Sequence, residues 1–68
     1  MLDAHLRLLR YFTYNHLPAH LQLVSAPFSE LAHGLVQRLP NGAEVTVALR
    51  KLLEAKDCAV RAALDAQP

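Results

Sequence analysis

From residue 17 onward the large apolar side chains fall at Leu17, Leu21, Val24, Phe28, Leu31 and Leu35. That 4-3-4-3-4 spacing has the period of a helix and not of a strand, and it predicts a helix over about 18–38. Pro18 stands where a first-turn proline is tolerated, because its missing N–H would have no helical partner there. Pro27 lies inside the stripe and removes one backbone hydrogen bond. Since the stripe keeps its phase across Pro27, the expectation is one helix kinked near Val24. The alternative is two helices, the second capped by Ser25.

The segment "LPNG" (39–42) ends that helix. Pro40 forbids continuation, and Asn41–Gly42 favours the left-handed backbone of a turn. A further helix is predicted over about 43–66, with a stripe of Val45, Ala48, Leu49, Leu52, Ala55, Ala59, Ala62, Ala63 and Ala66. The alanines, Ala55, Ala59 and Ala62 above all, would let another helix approach closely. So short a link between two long helices predicts an antiparallel two-helix hairpin. Ahead of it, about 3–11 can form a short helix, with Asp3 as cap and Leu6 and Leu9 facing inward. "FTYN" (12–15) then reads as an extended connector, since Thr and aromatic residues favour that backbone. The fold class is all-α, and residues 1–68 form one domain.

A chain of 68 residues buries little of its surface, so its core is marginal. Cys58 is the only cysteine, which rules out an internal disulfide and points to a reducing compartment. Small chains of this kind gain stability from a metal or from self-association. One seam of a hairpin leaves Leu23, Val36, Leu53, Val60 and Leu64 uncovered, and apolar surface of that extent implies a homo-oligomer. The net charge of +1 is interspersed along the chain, which argues against duplex nucleic acid as a partner. No apolar run approaches the roughly 20 residues that cross a bilayer, so no membrane role is expected. The early Asp3 is unlike a signal peptide, and a cytoplasmic location follows.

The stretch "RYFTYNHLP" (10–18) concentrates an Arg, a His and aromatic rings in an otherwise Leu- and Ala-rich chain. On an extended connector Phe12 and Tyr14 share one face, with Tyr11 and Thr13 on the other. Phe12 has no polar atom and is expected to be structural. Tyr14 can stack on a base, close to the helix start at Pro18, where free N–H groups favour a phosphate. The competing reading has all the rings plug the open end of the hairpin. His16 and His20 have a metal-ligand spacing but no evident third ligand, unless folding supplies Cys58 or His33. Neither a metal nor a cofactor is expected. Glu54, Lys56, Asp57 and Arg61 read as a solvated face, with Asp57 and Arg61 at helical pair spacing. Cys58 sits in an Ala-rich helix and is expected to be buried and inert. With no paired carboxylates or activated nucleophile, the chain is not expected to be an enzyme.

"FTYNHLP", a long helix, and then "LPNGAEVTVALRKLLEAKDCAVRAAL" together resemble the small helical-hairpin proteins of phages. That family includes the anti-CBASS cyclic-nucleotide sponge and is related in fold to the anti-Thoeris sponge. Its pattern has Phe-x-Tyr-His-Pro-Pro before the first long helix, then Pro, three residues and Glu, then Ala-Leu-x-Lys-Leu-x-Glu-Ala. Phe12 and Tyr14 fit the first motif, as do His16 and Pro18 if Asn15 and Leu17 are insertions. Pro40 and Glu44 fit the second motif. Ala48, Leu49, Lys51, Leu52, Glu54 and Ala55 fit the third. The match spans about residues 12–64.

The resemblance implies sequestration, without cleavage, of a cyclic oligonucleotide or a cyclic ADP-ribose-like signal of bacterial defence. It implies a site between protomers of an oligomer, often a hexamer, in the cytoplasm of an infected bacterium. Tyr14 would stack on the ligand with Phe12 supporting it. Many relatives carry "MWAN" where this chain has "KDCA" (56–59), and the first long helix lacks a basic residue before Arg38. Phosphate neutralisation therefore falls to Arg10, His16, Arg50 and Lys51. The alternative function is a small helical adaptor that binds a host protein through its exposed apolar face.

Overall fold

The computed structural model describes residues 2–66. Among them it contains three α-helices and no strand: α1 (Asp3–Arg10), α2 (Ala19–Arg38) and α3 (Ala43–Asp65). Each helix is one residue shorter than its predicted span.

Helix α1 starts from Leu2, whose carbonyl accepts from the His5 and Leu6 amides at 3.0 and 3.1 Å. Asp3 makes no capping bond and stands inside the first turn, where its charge meets the positive end of the helix dipole. The buried face is His5 and Leu9, four residues apart. Leu6, expected to point inward, is 48% exposed. His5 takes that inward place because it has a polar partner: its Nε2 lies 3.1 Å from Thr46 Oγ1 on α3.

The helix winds down through i→i+3 bonds from the Tyr11, Phe12 and Thr13 amides to the carbonyls of Leu8, Leu9 and Arg10. "FTYN" is therefore not an extended connector. Tyr11 and Phe12 continue the helical winding, and Asn15 and His16 lie in a turn closed by Leu17 N–H donating to the Tyr14 carbonyl at 3.0 Å.

Pro18 precedes α2 with an extended ψ, and its carbonyl accepts from the Leu21 and Gln22 amides. Helix α2 runs unbroken through Pro27, so the two-helix alternative is excluded. Ser25 is not a cap, and its buried Oγ has no hydrogen-bond partner. Leu39 turns extended, as a residue before proline must. Gly42 is extended too, and no described residue lies in the left-handed region, so the Asn41–Gly42 link does not use the left-handed backbone expected of it.

The face that α2 buries differs from the predicted stripe. Leu21, Ser25, Ser29, Ala32 and Val36 are buried. Leu17, Val24, Phe28 and Leu35 are only half-buried, and Leu31 is 47% exposed. The reason is steric. Helix α2 packs against both α1 and α3, and a line of Ser and Ala brings backbones closer than a line of Leu. Val36, assigned to the uncovered surface, belongs to the core with Leu9, Phe12, Ala32, Val45 and Leu49.

Phe12 and Leu49 are fully buried, and Leu8, Phe28, Leu52 and Leu53 flank the cluster. The molecule is elongated, 43 × 19 × 17 Å in extent. Beyond Leu53, α3 has no buried residue among those described; Ala55 and Ala62 are exposed and Ala59 half-buried. The close helix contact expected of these alanines is not made within one chain. No helix among the described residues is long and apolar enough to cross a membrane.

Candidate functional site

The irregular segment between α1 and α2 separates two open hollows. One lies between this segment and the C-terminal half of α3. It has a volume of about 380 Å³, and Arg10, Tyr11, Thr13, His16, Leu17, Lys56, Asp57, Val60 and Arg61 line it. The other runs along the outer side of α2, about 510 Å³, lined by Tyr14, Ala19, Gln22, Leu23, Ala26, Pro27 and Glu30.

The segment is anchored on both sides. Gln22 Nε2 donates to the Leu17 carbonyl at 2.8 Å, which fixes the turn to α2. Lys56 Nζ donates to the Tyr11 carbonyl at 2.7 Å, which fixes the end of α1 to α3. Lys56 also pairs with Asp57 at 3.1 Å, and its side chain is only 13% exposed. A lysine on a predicted solvated face is thus a structural strut. Its aliphatic stem is covered, and its ammonium satisfies a helix-end carbonyl.

Asp57 is paired with Lys56 and not with Arg61, the expected helical partner. Arg61 Nη2 instead donates to Cys58 Sγ at 3.6 Å. The Arg61 guanidinium is held above its ordinary value, chiefly by that side-chain bond. Cys58, expected to be buried, is exposed.

The structure divides the predicted ligand-binding residues. Arg10 and His16 share the cleft beside α3. Tyr14 is half-buried and forms a wall of the groove on α2. Phe12, fully buried, touches neither. Arg50 and Lys51 are exposed on α3 and line neither hollow; Lys51 makes a 3.9 Å surface contact with Glu54.

Three lining residues, Tyr11, Lys56 and Arg61, were not singled out for binding from sequence. The helical period sets Asp57 beside Arg61 and Lys56 beside Val60 on α3, but the meeting of Lys56 and Arg61 with Arg10 depends on how α1 docks.

His16 and His20 are exposed, and His33 Nδ1 donates to the Ser29 carbonyl at 2.8 Å. Among the described residues no group of three His, Cys, Asp or Glu side chains is placed to hold a metal ion. Compared with protein-family models, curated proteins and solved structures, the chain has no match.

Proposed function

We propose that the protein binds and sequesters a cyclic nucleotide or cyclic ADP-ribose-type signal of bacterial anti-phage defence, without cleaving it, in the cytoplasm of the infected cell. The supporting observation is the division of labour between neighbouring rings. Phe12 is fully buried, whereas Tyr14 borders an open, largely apolar groove. In that groove Pro27 has no N–H to offer the Leu23 carbonyl, four residues earlier in α2, and the carboxylate of Glu30 stands at the edge. A ring wall beside hydrogen-bond acceptors suits a nucleobase carrying amino groups.

In this reading α2 and α3 form an antiparallel hairpin, the geometry that residues 39–42 allow most directly. The protein acts as a homo-oligomer that covers Leu23, 80% exposed, together with Leu31 and Leu64. Arg10 and His16, with Arg50 and Lys51 from a neighbouring copy, are the phosphate candidates. The same exposure of Leu23 supports the second reading, an adaptor for a host protein, for which a stoichiometric host partner would be recovered with the purified chain.

The test is a thermal screen of cyclic dinucleotides, cyclic trinucleotides and cyclic ADP-ribose isomers. A ligand at 100 times its dissociation constant stabilises a one-site protein by about 2.7 kcal/mol. With the ligand found, Tyr14→Ala should weaken binding about tenfold, a loss of about 1.4 kcal/mol, while the melting temperature stays near that of the parent. Phe12→Ala should instead lower stability by about 3 kcal/mol. Absence of any stabilising nucleotide, or unchanged affinity in Tyr14→Ala, would sink the proposal.

A further inference from the structure

The cleft between α1 and the C-terminal half of α3 has a different chemistry from the groove on α2. Its charged lining is Arg10, Lys56 and Arg61 against a single carboxylate, Asp57. That leaves two net positive charges, with His16 adding another when protonated. The carboxylate is already engaged by Lys56 at 3.1 Å. Neither Arg10 nor Arg61 takes part in an ion pair among the described residues.

Lys56 has three ammonium protons. One is directed to the Tyr11 carbonyl and one to Asp57, which leaves a third. Unpaired like charges gathered around one hollow repel each other, and an anion entering the hollow relieves that repulsion. Guanidinium groups present paired N–H donors that match the oxygens of a phosphate.

We propose that this cleft is an anion site for a free phosphate ester or diphosphate, with Arg10, Arg61 and His16 as its direct ligands. Lys56 is the positioning residue: it holds the end of α1, and so Arg10, against α3. The phosphate could also belong to a lipid headgroup, but a concave site of about 380 Å³ suits a small soluble molecule better than a membrane surface. The site stands independently of the α2 groove. If the nucleotide reading holds, the cleft is where a phosphate of such a signal could bind.

The experiment is a titration of ¹⁵N-labelled protein with inorganic pyrophosphate at low ionic strength, followed by NMR. Saturable shifts confined to residues 10–17 and 56–61 are expected. Arg61→Gln and Arg10→Gln, both at exposed positions, should each raise the dissociation constant at least fivefold without changing the fold. Arg38→Gln, outside the cleft, should leave it unchanged.

Shifts spread equally over Arg7, Arg38 and Arg50 would overturn the proposal, as would equal weakening by Arg38→Gln. In a parallel arm, the protein is sedimented with phosphatidylglycerol vesicles. Retention there without any response to pyrophosphate would assign the charge to a membrane and overturn the small-molecule site. Pyrophosphate carries no base, so failure of this titration leaves the Tyr14 groove standing, and failure of the nucleotide screen leaves this site standing.

Discussion

The two halves of α3 share one helix and differ in almost everything else. The first half carries Val45 and Leu49 into the core and rests Leu52 and Leu53 against it. The second half, from Glu54 on, has no fully buried residue among those described and instead lines a charged cleft. The first half has side chains large enough to fill the space between α1 and α2. The second half has alanines, which remove little apolar surface from water, beside charged groups that need solvent or a partner. The buried side chains of α3 are thus concentrated in its first half, and its second half stays largely open to solvent.

The largest expected contrast between the halves is in truncation. Leu49→Ala should destabilise the fold by about 2–5 kcal/mol, because it opens a cavity at a fully buried position. Leu64→Ala, at a position 49% exposed, should stay within about 0.5 kcal/mol by chemical denaturation. A large loss at Leu64 would show that the second half is covered in solution.

Ala62→Leu sharpens the same point. Ala62 is exposed within one chain, so the substitution is neutral for a monomer. In the proposed homo-oligomer it overpacks a contact between copies, and a cost of about 1–3 kcal/mol should appear as a fall in mass by light scattering. An unchanged mass would place that face in solvent.

The smallest effect joins the halves. Lys56→Met keeps the covered stem and removes the bond to the Tyr11 carbonyl. A loss of about 1 kcal/mol is expected, with faster amide exchange at residues 11–13 and little change around Leu49. Uniform loosening of the whole chain would mean that the strut belongs to the core.

Helix positions were legible in the sequence because their signals are local. Pro18, Pro40 and Gly42 act on their own backbone and its neighbours, and both ends of α2 and the start of α3 fall beside them. The continuity of α2 through Pro27 followed from the unbroken phase of its apolar residues. The buried role of Phe12 could likewise be read from its lack of any polar atom.

Which face of α2 turns inward could not be read in this way. The apolar stripe describes a helix facing a single neighbour, and α2 has two. Ser25 and Ser29 are buried because small side chains permit close approach, a property that hydrophobicity does not register. His5 displaces Leu6 from the interior because Thr46, distant in sequence, lies within hydrogen-bonding reach.

The sequence by itself determined an all-helical chain, the places where its helices begin and end, and the ring that fills its core. Periodicity, proline and side-chain chemistry act within a few residues and need no distant partner. Only the tertiary structure decided that Arg10, His16, Lys56 and Arg61 surround one cleft while Tyr14 borders another. Those groups come from three parts of the chain, and their meeting depends on how α1 docks against α3. That docking is set by the closeness of side-chain packing and by a few long-range bonds such as Lys56 to Tyr11.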